Sequence, residues 1–174
     1  MAFSMNLNAT SQVYPAPASL ADKIEDECKR VNKIICARIL SGFDLKYHDG
    51  VTYHFSFKLD DQTNFLMKLN EANMIATADA SALDSDDVFC TWQGHIDGTA
   101  KTLTFSLAEF MNFATTAGHI KEKHLGDGWV MKAKLRAAKS PSELKAVVDA
   151  LDLVHLEVAA RDLPGWAEAN AAEA

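Results

Sequence analysis

From Ser106 to Leu151 the chain carries two capped helix signals in succession, and they leave little freedom in what the rest can do. Ser106 and Glu109 stand in capping-box spacing, so the hydroxyl can accept from an orphan backbone N–H while the carboxylate reaches back. Ser140, Pro141 and Glu143 repeat the device, with proline at the first helical position, where its missing N–H costs nothing. Between the caps, Phe110, Phe113, Ala117, Ile120, Met131 and Leu135 form one apolar stripe at helical spacing. Gly126-Asp127-Gly128 interrupts it, and each glycine costs a helix interior about 1 kcal/mol relative to alanine. The stripe keeps its phase across the glycines, which predicts one long helix softened or kinked there rather than two helices.

Two hairpins precede this stretch, and side-chain parity sets their loops. Phe43, Leu45, Tyr47, Val51, Tyr53, Phe55 and Phe57 all fall on odd positions. A two-residue loop would split them between faces, whereas a three-residue loop, His48-Asp49-Gly50, pairs Tyr47 with Val51 and Leu45 with Tyr53. In the second hairpin Cys90 and Trp92 are even while Leu103 and Phe105 are odd. A two-residue Asp97-Gly98 turn of type I′ gathers them on one face, pairing Trp92 with Leu103 and Cys90 with Phe105. Both hairpins are expected in one antiparallel sheet with helices on one side.

Ser19 and Asp22 open a first helix with Leu20, Ile24, Cys28, Val31, Ile35 and Ile39 on its buried side, and Gly42 closes it. Asp60 is expected to cap a second helix carrying Phe65, Leu66, Leu69 and Ala72; Gln62 and Asn64 can bond to the hairpin backbone. Thr77 to Asp87 is acidic, small and aperiodic, and lacks the glycine turn and terminal glutamate of an EF-hand, so it reads as a surface loop. Leu153 to Val158 fits either a short strand or a helix extension, and Pro164-Gly165 is a turn. The expected class is α+β: two antiparallel hairpins in a small sheet, packed by three to four helices. The expected organisation is an extended arm over 1–18, a compact domain over 19–151 and a docking tail over 152–174. Phe3, Met5, Leu7 and Tyr14 in the arm, and Trp166 in the tail, are apolar beyond what solvated ends require, and are the candidate partner-binding residues.

Composition narrows the function classes. At 174 residues one domain is the prior, and 48% hydrophobic with 24% charged residues is ordinary for a globular chain. A net charge of −7 repels phosphate backbones. The one basic row, Lys121, Lys123, Lys132, Lys134, Arg136 and Lys139, reads as the solvated face of a helix, so nucleic acid is not expected as a partner. No apolar run has the length of a membrane span, and the first residues lack the pattern of a secretory signal. Cys28, Cys36 and Cys90 show no Cys-x-x-Cys and read as reduced, mostly buried thiols.

Catalytic patterns are wanting. His119 and His124 are five apart, not the four that places two ligands on one helix face. His124 reads as a core histidine bonded to a carboxylate, and His48, His54, His95 and His155 are scattered. No nucleophile elbow, Walker loop or dinucleotide glycine set occurs. Asp60-Asp61 reads as helix-start chemistry. No catalytic, metal or cofactor-binding residue, and no cofactor, is therefore expected.

Several short motifs nevertheless occur in a recognisable order over Leu20 to Leu151: VNKIICARILSGF (Val31 to Phe43), TYHFSFKLDDQTNF (Thr52 to Phe65), Trp92, TLTFSLAEF (Thr102 to Phe110), His119 and LRAAKSPSEL (Leu135 to Leu144). In this the chain resembles a domain of unknown function that recurs in tail and tail-fibre regions of tailed bacteriophages. Gly126, Gly128, the longer acidic loop and both chain ends depart from that pattern. The resemblance implies a non-enzymatic virion component of the tail, baseplate or fibre attachment, made in the host cytoplasm. It would touch other tail or fibre proteins and form a homo-oligomer within a larger assembly. The alternative is a chaperone that holds a tail fibre during assembly and then leaves.

Overall fold

A computed structural model describes residues 18–171 of the chain. Phe3, Met5, Leu7 and Tyr14 lie outside the described residues. Ser19 caps α1 (Leu20–Leu40): its hydroxyl accepts from the Asp22 N–H at 3.1 Å, and the Asp22 carboxylate accepts the Ser19 N–H at 3.0 Å. Gly42 ends it at φ +90°.

Both hairpins have the register that parity demands. In β1 (Phe43–Lys46) and β2 (Thr52–Phe55), Leu45 faces Tyr53, and the Tyr47 N–H donates to the Val51 carbonyl across the three-residue loop at 2.8 Å. In β3 (Cys90–Ile96) and β4 (Thr99–Phe105), Trp92 faces Leu103 and Cys90 faces Phe105. Asp97 and Gly98 both have positive φ, as a type I′ turn requires. The hairpins meet where His54 pairs with His95, giving one antiparallel sheet in the order β1-β2-β3-β4. Phe43, Tyr53, Phe55, Leu103 and Phe105 bury one face, while Asp44, Lys46, Thr52, Thr91, Gln93 and Thr102 leave the other open to solvent. This is the α+β architecture the patterning implies, with six helices over the described residues rather than three to four.

The second helix starts two residues earlier than expected. α2 runs Leu59–Ala78 with Lys58, not Asp60, at the cap. Lysine has no acceptor to offer, so the cap is one-sided: Asp61 takes the Lys58 N–H at 3.2 Å and the Ser56 hydroxyl at 2.6 Å. Gln62 donates to the Phe57 carbonyl, tying the helix to the hairpin as predicted. Part of the acidic loop forms a 3₁₀ turn, Ala80–Asp84, because Asp79 accepts from the Ser81 N–H at 3.0 Å.

α3 (Leu107–Arg136) is a single 30-residue helix that continues through both glycines. Its N-terminal half lays Phe110, Phe113 and Ala117 on the sheet. Its C-terminal half runs antiparallel to α1, with Lys132 bonded to Asn32 and Gly128 against Ile35. A Cβ at Gly128 would stand 2.9 Å from Ile35 Cγ1, so the helix crossing needs a residue without a side chain there. Helix propensity is given up locally for close approach.

Ser140 caps α4 (Pro141–Ala150). Beyond it the expected break at residue 151 is absent. Leu153 to Val158 is neither strand nor extension but the start of a separate helix, α5 (Leu153–Arg161), set off by Asp152 at φ +50°. After the Pro164-Gly165 turn comes α6 (Trp166–Ala171). Ile34, Ala37 and Leu40 on the back of α1 form a second small core with Ala160 and Ala169, against which Trp166 packs. The Gly165 N–H donates to Ser41 Oγ at 3.1 Å, and Glu157 pairs with Arg30. The tail expected to dock elsewhere is thus used, through Trp166, to cover the chain's own first helix. Residues 152–171 belong to the folded body.

Candidate functional site

Two polar clusters flank the sheet. At the tip of the first hairpin, Tyr53 is buried yet its hydroxyl donates to Asp49 Oδ2 at 2.9 Å and accepts from Lys101 Nζ at 2.8 Å. Asp49 also takes the Val51 N–H, and this amide above all holds its carboxyl below the usual range; the Tyr53 hydroxyl raises Lys101. Beside it the Tyr47 hydroxyl donates to the Thr104 carbonyl, and His48 Nδ1 meets Glu109 Oε1 at 2.8 Å. A hollow of about 210 Å³ opens next to these groups, floored by Leu45, Phe105 and Phe113. These bonds tie the hairpin tip to β4 and α3.

The second cluster lies where β2 and β3 diverge. With a single paired position joining the hairpins, a groove of about 560 Å³ opens between Ser56, Asp61, Asn64, Trp92, Gln93 and His95. Its one carboxylate, Asp61, is spent on the helix start. Among the described residues no group of three or more histidine, cysteine, aspartate or glutamate side chains stands placed to hold a metal ion.

The singled-out residues come to different ends. Cys28 and Cys90 are buried, Cys36 is exposed, and burial pushes the Cys90 thiol up to about 11 and raises that of Cys28, so neither offers a thiolate. The basic row is not one patch: Lys121 turns to Gln62 on α2 and Lys132 to Asn32 on α1. His119 is exposed.

His124 does not bond a carboxylate. Its Nδ1 is buried without a hydrogen-bond partner. Loss of solvent, then the Arg38 and Lys123 charges, lower its pKa, against a smaller opposing effect of Asp127. The unfolded chain takes up this proton near pH 6.5 and the folded chain only below that. Stability therefore is full above about pH 6.5 and falls as the pH drops towards the folded value. A His124→Leu chain is expected to lose less stability than the wild type between about pH 6.5 and pH 5, read by denaturant unfolding at a series of pH values.

What stands out on the surface is apolar. Leu59, Leu66, Met67 and Met74 project from α2, the last at 74% exposure. Trp129 and Val130 project from α3 at 65% and 56%, and Val154 and Val158 from α5. None was a sequence candidate, although a signal existed: between Thr63 and Ala78 the only charged residues of α2 are Lys68 and Glu71, which pair with each other. Trp129 and Val130 likewise sit off the core stripe of α3. No described helix is long and apolar enough to cross a membrane.

Compared with models of known families, the chain matches none. No curated protein and no solved structure matches it either.

Proposed function

We propose that this chain is a non-enzymatic structural component of a tailed-bacteriophage virion, in the tail, baseplate or fibre attachment, acting through protein–protein contacts. The observation that carries the contact mode is the apolar surface of α2 and α3, where large side chains stand mostly in solvent on rigid helices. The chemically capable groups point the same way, being engaged in caps, turns and cross-links between elements. The tail assignment is supported by the order of motifs from Val31 to Leu144 that resembles a phage tail-region domain.

Mass spectrometry of purified particles is the test. The chain is expected at a fixed copy number per particle. Recovery with immature fibres and absence from finished particles would replace this reading with that of an assembly chaperone. Absence from both would end the tail assignment.

A further inference from the structure

The solvent side of α3 changes character along its length. In a helix of about 3.6 residues per turn, Asn112, Thr115, His119 and Glu122, then Gly126, Val130 and Ala133, lie away from Gly128, the residue that meets α1, with Trp129 at the edge of that side. The first four are polar. From Gly126 onwards the same side is apolar, with Trp129 the one large ring among small neighbours. A Cβ at Gly126 would meet nothing within 4 Å, so the notch beside Trp129 opens outward.

We propose that this strip is the contact face between two copies of the chain, their α3 helices antiparallel about a two-fold axis passing between Trp129 and Val130. In that register the two Trp129 rings meet across the axis on one flank and the two Val130 side chains on the other, while Gly126 lies opposite Ala133 of the second copy, and these small residues leave room for the rings. The charges select the second copy as the occupant. Exposed Glu122 and Arg136 flank the strip on one side, exposed Asp127 and Lys134 on the other. An antiparallel two-fold sets Glu122 beside Arg136 of the second copy and Asp127 beside its Lys134, each contact made twice by symmetry. Lys123 shares the flank of Asp127 and comes as near to Lys134 of the second copy as Asp127 does, so the Glu122–Arg136 pair carries the charge match. In a parallel pairing opposite flanks meet, so Glu122 and Arg136 would stand too far apart in height to pair and Arg136 would face Lys134 of the second copy instead. This rests on the reading of the chain as one that works by protein contacts, and adds to it the surface and the partner.

Sedimentation equilibrium on the full chain tests it. The wild type is expected to be a dimer that dissociates on dilution. Trp129→Glu should weaken it about 100-fold or more, as loss of a central aromatic anchor does, with unchanged circular dichroism because the ring is mostly exposed in the monomer. Ala133→Glu serves as a second disruption should Trp129→Glu misfold. Glu122→Arg alone places like charges opposite each other twice and should weaken the dimer about 3- to 10-fold; adding Arg136→Glu should restore it. A monomeric wild type, or a dimer indifferent to Trp129→Glu and Ala133→Glu, would overturn the proposal. Failure of the charge exchange to restore association would overturn the antiparallel pairing. Each result is independent of whether the chain occurs in particles, so this proposal and the tail assignment fail separately.

Discussion

Phe113→Ala is expected to cost about 3–5 kcal/mol of folding stability, the range for removing a large ring from a well-packed core. Phe113 sits on α3 where helix and sheet layers meet, 2% exposed. Its ring centroid lies 4.8 Å from that of Phe55, 5.1 Å from Phe105, 5.4 Å from Phe65 and 5.6 Å from Phe43. These four come from β2, β4, α2 and β1, so one truncation opens a void that no single element can move to fill. Rings around it also lose their tilted and edge contacts, which count beyond area alone. Denaturant unfolding reads the loss directly. Phe89→Ala, at the partly exposed margin of the same cluster, should cost clearly less. Equal losses at both positions would mean the cluster has no centre.

Gly42→Ala is expected to destabilise by at least about 3 kcal/mol, more than its single methyl group suggests, for two reasons that add. The residue has φ +90°, a conformation that is strained for any side chain. An added Cβ would also stand 1.9 Å from the Phe55 carbonyl oxygen, which cannot yield without moving β2. Gly50 separates the two effects. Its φ is +82°, yet a Cβ there would meet nothing within 4 Å. Gly50→Ala should therefore show the backbone cost alone, about 1 kcal/mol. Thermal unfolding of both variants checks the difference, and equal losses would remove the clash from the account.

The contrast shows where reading a chain stops. Gly42 is recognisable as a helix terminator from its position after Ile39, and its positive φ follows. That Phe55 presses against it does not, because that contact joins a helix end to a strand beyond a turn. Gly128 is similar: from the chain it is a flaw in a helix, and only the crossing of α1 turns it into a requirement. The misplaced start of α2 has another origin. Asp60 and Asp61 are both able to cap, and the choice fell to Ser56, whose hydroxyl bonds Asp61 and draws it back over Lys58. His124 lies on the apolar stripe as expected, but the neighbour facing it from α1 is Arg38 rather than an acid.

The candidate contact surface was the least legible part. Trp166 is large, isolated and near a chain end, which reads as spare surface; in the fold it closes over Ile34, Ala37 and Leu40. Trp129 lies off the apolar stripe of α3 and stands in solvent. The two tryptophans differ for one reason: burial is a property of what lies opposite, and periodicity names only the side of a helix.

By itself the sequence determined many features whose partners lie within a few residues: the boxes at Ser19 and Ser106, the serine cap at Ser140, the lengths of both hairpin loops, the pairing of Leu45 with Tyr53 and of Trp92 with Leu103, and the continuity of α3. Those follow from hydrogen-bond reach and two-residue parity, which act along the chain. The tertiary structure alone decided that α1 is buried on two sides, that α5 and α6 complete the body, and which tryptophan is left in solvent. Those depend on which distant surfaces exclude water together, and that competition is settled only once all the elements are packed.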